Sequence, residues 1–260
     1  MKWFEQQTIL ASFFRTLYKI PGVKVDRDAF LTKQFEKSPQ LAQILLDGPL
    51  RAGVPQKEVK RLAKRLVGKR TRQSTTLSFG AGLPGGFAMA ATVPADTLQF
   101  LGNALRLAQE MAYLYGYRDF WQLQDEARKN DLLLLLGTML QVKGGAAAMR
   151  LLTTRHTEIV SRKISFSEME KAMYWPILGE IATVIIEKIT KKTMASGVTK
   201  FIPLAGGFLS GGITYTALSN MGDSLLAAFE AGVGYDTEKM EADIADIKTH
   251  IATAVPHNNL

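Results

Sequence analysis

The chain has no cysteine at all. That excludes a disulfide framework and thiol catalysis, and it fits a reducing compartment. Histidine is scarce, with three residues, His156, His250 and His257. His156 stands beside Glu158 and reads as an exposed helix pair rather than a catalytic or metal group. There is no Gly-x-Ser-x-Gly elbow, no P-loop and no zinc-protease motif, so hydrolysis and nucleotide chemistry lack their usual signatures. Strand-like alternation is rare, and β-branched residues do not cluster between turn signals. A secretory signal is also missing: Arg15 and Lys19 interrupt the first apolar run, and no small-residue cleavage site follows. The expectation is a cytoplasmic protein without catalytic residues, cofactor or metal.

What is present is a hydrophobic and basic chain. Of 260 residues, 47% are hydrophobic, enough for a sizeable core, and the formal charge of +8 favours anionic surfaces. The charge is unevenly placed. Gln73–Ala95 and Phe201–Gly222 carry no charge, and each follows a basic segment. The first contains Gly-Leu-Pro-Gly-Gly-Phe at 82–87 and the second Pro-Leu-Ala-Gly-Gly-Phe at 203–208. A pattern used twice points to an architectural unit. Each stretch is roughly the twenty residues that a membrane span needs, but both are rich in glycine and neither is strongly hydrophobic.

Helical punctuation covers nearly the whole chain. Residues 2–20 read as an aromatic helix stopped by Pro21-Gly22. Asp26 or Asp28 caps the next, and Ser38-Pro39 opens one that Asp47-Gly48-Pro49 ends. Pro55 opens a basic helix over 55–68. Pro94 opens the longest, 94–115, with Gly116 as its stop. Asp131 is expected to cap an apolar helix Leu132–Val142, which Gly144-Gly145 separates from 146–162. Tyr174–Lys192 follows. The last helix, 237–253, aligns Met240, Ile244, Ile247 and Ile251 on one face. With no Pro- or Ser-rich linker, the fold class is all-α: one helical domain of about ten helices with two glycine-rich helical hairpins. The domain spans 1–236, and 237–260 is a C-terminal helix with a disordered tail.

Several motifs in order resemble the EcsC family of bacterial proteins. They are Ile20-Pro21-Gly22-Val23-Lys24-Val25-Asp26, the core Leu77-Ser78-Phe79 through Gly82-Leu83-Pro84-Gly85-Gly86-Phe87, and Pro94-Ala95-Asp96. Leu105-Arg106-Leu107-Ala108-Gln109 and Ala112-Tyr113-Leu114-Tyr115-Gly116 follow, then Lys200-Phe201-Ile202-Pro203 and Ser210-Gly211-Gly212-Ile213-Thr214-Tyr215. The resemblance covers roughly residues 20–230. The family is named from a gene beside an ABC-transporter operon, which implies an accessory role to a transport or secretion system. It brings no catalytic residues.

Three candidate features emerge. Lys57, Lys60, Arg61, Lys64, Arg65, Lys69, Arg70 and Arg72 precede the first neutral stretch, in the manner of cations that hold a protein to anionic lipid. Their spread around the helix and the lack of aromatic residues among them favour lipid or solvent over nucleic acid. The small residues Gly82, Gly85, Gly86, Gly206, Gly207 and Gly211 suit close helix approach, in a packed core or in lipid. Asp96, Gln99, Asn103, Arg106 and Glu110 recur at spacings of three and four, forming one polar seam on an otherwise apolar helix. That seam reads as a cavity lining, a solvent-facing strip or a buried network that fixes helix register. Gly80-Ala81-Gly82-Leu83-Pro84-Gly85 matches a dinucleotide fingerprint in letters only, since a basic helix rather than a strand precedes it. The leading expectation is a non-enzymatic protein held peripherally on the inner face of the cell membrane. The alternatives are a lipid-handling protein or enzyme with a cavity along Asp96–Arg106, and a membrane-perturbing effector.

Overall fold

The computed structural model describes residues 3–76, 95–157, 175–189 and 211–254. Among the described residues every regular element is helical, and there is no strand. Helices α1 (Trp3–Leu17), α2 (Arg27–Phe35) and α3 (Leu41–Asp47) lead into α4 (Gln56–Thr76) and α5 (Ala95–Leu114). A 3-10 turn, Phe120–Gln122, precedes α6 (Asp125–Met139) and α7 (Gly145–Thr157). The remaining helices are α8 (Trp175–Ile189), α9 (Gly211–Gly232) and α10 (Thr237–Ala254).

Local chemistry accounts for several boundaries. The Asp26 carboxylate accepts the Ala29 N–H at 2.8 Å, a side-chain cap that starts α2. Gly48, at φ 86°, ends α3, and a Cβ there would lie 2.7 Å from the Gly116 Cα. Gly116 itself has φ 89°. These two left-handed glycines let the α3 and α5 ends touch.

Three boundaries differ from the sequence reading. Ser38-Pro39 forms a turn before α3, which starts at Leu41 with Gln40 in the cap position. The basic helix runs on to Thr76, into the first neutral stretch. Asp131 does not cap a helix. The helix begins at Asp125, and Asp131 lies inside it, 3% exposed. Asp125 and Glu126 supply the acidic first turn that the helix dipole favours, so the start moves upstream.

The centre is a trio, α4, α5 and α9. Apolar Val59, Leu62, Ala63, Leu66 and Val67 on α4 are buried, where it packs extensively on α9 and α5. Gly222 of α9 makes the crossing possible: a Cβ there would meet both Val67 methyls at 2.8 Å and Leu107 at 3.3 Å. Gly222 of α9 meets Val67 and Leu107, while Glu230, about two turns further along α9, meets Lys60 of α4 and Tyr115, just past the end of α5. So α4 runs antiparallel to both α5 and α9. Its C-terminus lies at the same end of the trio as the N-termini of α5 and α9.

Helix α6 is buried continuously from Asn130 to Met139. At Gly137 an added Cβ would overlap Ile181 of α8, with Cγ1 at 2.5 Å and Cγ2 at 2.8 Å. Thr138 Oγ1 donates to Gly145 O at 3.1 Å and closes the α6–α7 corner. Helix α10 packs on α7 and α8. Arg150 grips Asp243 through Nε at 2.8 Å and through Nη2, and Tyr235 donates to the same carboxylate at 2.7 Å. His250 Nε2 meets Glu180 Oε2 at 2.6 Å.

Candidate anionic-surface face and polar seam

The eight cations of α4 divide into two groups. Lys57, Arg61, Lys64, Arg65, Lys69 and Arg72 are exposed. At about 100° per residue these six fall within about 140° of one another, so they form one stripe and do not encircle the helix. The reason is the amphipathic pattern: Val59, Leu62, Ala63, Leu66 and Val67 occupy the opposite arc and are buried. Glu58 sits among them, 3.7 Å from Arg61.

The other two cations pair with acids of neighbouring helices; Arg70 is largely buried, while the Lys60 side chain stays 45% exposed. Lys60 Nζ lies 2.8 Å from Glu230 Oε2, and Tyr115 donates its hydroxyl to Oε1 of the same carboxylate. Burial pushes the Glu230 carboxyl up, but the bonds from Lys60, Tyr115 and Gln56 outweigh it and hold it below the usual range. Burial, together with the Glu230 carboxylate, pushes the Tyr115 phenol well above its ordinary value. Arg70 pairs with Glu110 in a fork, its Nε at 2.7 Å from Oε2 and its Nη2 on Oε1.

Glu110 belongs to the predicted seam, and it is 1% exposed. Arg106, one helical turn earlier, adds Nε at 3.2 Å from Oε1. Three charges thus share one buried point where α4 meets α5. Gly22 leaves room for Arg106, since a Cβ there would lie 2.5 Å from Nη1. Gln99 and Asn103 are partly buried on the same helix. The Asp96 side chain lies outside the described residues.

Sequence reading missed Gln109, which lies beside the seam and is fully buried. Its Nε2 donates to Val23 O at 2.8 Å and to Leu105 O at 3.0 Å. Its Oε1 accepts from Val25 N at 3.3 Å and from Trp121 Nε1 at 3.1 Å. One amide therefore ties the 20–26 turn, α5 and the 3-10 turn together. Around it, Trp121 lies under Lys24 at 4.9 Å and Arg128 at 5.1 Å, with Tyr18 edge-on at 5.0 Å.

Gly82, Gly85, Gly86, Gly206 and Gly207 lie outside the described residues. Gly211 is the first residue of α9. The close helix approaches that are described use other glycines, Gly102, Gly137 and Gly222. His156 lies in α7 and its side chain is outside the described residues. Among the described residues no group of three acidic or histidine side chains could hold a metal, and no helix is long and apolar enough to cross a membrane. No protein-family model, no curated protein and no solved structure matches the chain.

Proposed function

We propose that this protein is a non-enzymatic, membrane-peripheral protein that docks on anionic lipid through the exposed face of α4. The observation that carries this reading is the stripe of six exposed cations, backed by a helix face anchored in the core. Such a stripe attracts anionic lipid at about 1 kcal/mol per near-surface cation. It carries no exposed apolar side chain, so contact is adsorption rather than insertion. The resemblance to the EcsC family supports an accessory role to a membrane transporter on the cytoplasmic side.

Co-sedimentation with vesicles tests this. Vesicles containing phosphatidylglycerol should pull the protein down at low salt and release it at high salt. The Debye length falls from about 10 Å at 0.1 M to about 3 Å at 1 M. Neutral phosphatidylcholine vesicles should leave it in the supernatant. Equal binding to both, or binding to neither, refutes the reading, and tighter binding to nucleic acid than to vesicles would replace it.

A further inference from the structure

At the C-terminal end of α5, three distant pieces of chain converge on a pocket of about 400 Å³. Arg27 comes from the start of α2, Arg51 from the turn after α3, and Arg118 from the loop after α5. The two left-handed glycines hold this junction together, and Gly116 lines it.

Arg27 is the unusual member. It is 8% exposed, a rare state for an arginine. Its Nε donates to Tyr117 O at 3.1 Å. Its Nη1 donates to Leu45 O at 2.7 Å and to Asp28 Oδ1 at 2.8 Å. A guanidinium has five N–H groups, and these bonds use three of them. Both N–H groups on Nη2 have no hydrogen-bond partner among the described residues. Nη2 is not among the buried unpaired atoms, so this edge of an otherwise buried side chain is open to solvent, and the side chain lines the pocket. The guanidinium is held rigid by two backbone carbonyls, so it would lose little freedom on binding.

The carboxylates nearby are engaged with protein donors. Asp119 Oδ1 accepts from Trp121 N at 3.0 Å and from Tyr113 at 3.1 Å. Asp28 holds Arg27, and Asp47 accepts from Gln43. They leave the pocket close to charge balance, which disfavours a diffuse attraction for any anion. A ligand must instead meet the guanidinium edge directly. We infer that this pocket binds the oxyanion group of a small polar metabolite, a phosphate or carboxylate bearing hydroxyl or ammonium groups that suit the aspartates. The pocket volume falls within the range of about 300–1,000 Å³ typical of small-molecule sites.

The inference is independent of the membrane reading and is tested apart from it. Inorganic phosphate and glycerol 3-phosphate are titrated by calorimetry against the full chain at constant ionic strength, with chloride as the control salt. Saturable binding is expected for at least one of the two. It should weaken about tenfold or more in Arg51→Gln/Arg118→Gln and stay unchanged in Arg61→Gln/Lys64→Gln on α4. Both double variants change exposed residues, and circular dichroism verifies that each is folded. No saturable binding, or binding lost in the α4 variant and kept in the pocket variant, overturns the site. A wild-type response equal to that of chloride does the same.

Discussion

Lys60 and Arg70 differ from the other six cations of α4 in a way that separates membrane binding from stability. The triple variant Arg61→Gln/Lys64→Gln/Arg65→Gln removes three exposed charges. At about 1 kcal/mol per near-surface cation, about 3 kcal/mol of lipid attraction goes, or more than a hundredfold in partitioning. Stability should hardly move, because exposed substitutions stay within about 0.5 kcal/mol each. The Arg61–Glu58 pair lost with them is 64% and 44% exposed, and such pairs contribute little. Arg70→Gln is the converse. It leaves Glu110, 1% exposed, with Arg106 as its remaining charged partner. Removing one partner of a buried pair costs about 3–5 kcal/mol, and Arg106 offsets part of that, so about 2–4 kcal/mol is expected. At about 2–4 °C per kcal/mol for a chain of this size, the melting temperature falls by about 4–16 °C. Vesicle co-sedimentation and thermal melting are run on the same preparations. If Arg70→Gln, assayed while still folded, loses as much vesicle binding as the triple variant, the division is wrong. If the triple variant keeps its binding, the stripe is not the docking face.

Three further outcomes follow from the packing. Gly137→Ala should destabilise by about 1–2 kcal/mol net, since overpacking against Ile181 exceeds the gain of about 1 kcal/mol in helix propensity. Ile181→Ala should cost less in the Gly137→Ala background than in the parent, so additive effects in that double-mutant cycle would deny the contact. In alkali, burial opposed by the Arg128 charge pushes the Tyr18 phenol up to about 12, while Tyr113, Tyr115 and Tyr235 are driven higher by burial and by Asp119, Glu230 and Asp243. The unfolded chain loses these protons near pH 10 and the folded one does not. Stability should therefore fall as pH rises above about 10, by about 1.4 kcal/mol per unit for each such tyrosine. Ultraviolet titration giving one ionisation of all seven tyrosines near pH 10 in the folded protein contradicts this. Gln109→Leu strands the Val25 and Trp121 N–H groups at about 1–3 kcal/mol each. It should lower the melting temperature and shift Trp121 emission, and an unchanged spectrum with unchanged melting refutes the tether.

What the sequence disclosed depended on whether a feature was local. Asp26 as a cap and Gly116 as a stop are signals within one turn of the chain, and both hold. The start of α6 misled because two aspartates, Asp125 and Asp131, each suit a helix start, and only burial separates them. Glu110 was visible as part of a seam by spacing alone. Its fork with Arg70 was not, because that partner lies on another helix and among seven similar cations. Gln109 gave no warning, since an amide one residue from the seam looks solvent-facing until the 20–26 turn folds over it. The contact glycines show the same limit. Paired glycines draw the eye, yet Gly137 in a run of leucines and Gly222 within α9 meet side chains from remote helices. Their need for space is written in Ile181 and Val67 rather than in their own neighbours.

The antiparallel trio leaves a question of orientation that one experiment decides. Helix α4 ends where α5 and α9 begin, at one end of the trio. An end-on docking would bring that end to the bilayer first, with Arg72 leading and Lys57 trailing. From Lys57 to Arg72 the stripe runs about 22 Å along the axis, at 1.5 Å per residue. Its exposed cations recur at every turn over that length, which favours side-on contact: a line of charges gains most when all of it lies within a Debye length of the surface. The absence of cysteine makes a clean test possible. Lys57→Cys and Arg72→Cys each create a unique labelling site at equal cost in charge. A polarity-sensitive dye at each position should respond alike when anionic vesicles are added, and both responses should vanish at high salt. A strong change at 72 with none at 57 would refute side-on docking and make the end where α4 stops and α5 and α9 start the membrane-facing one.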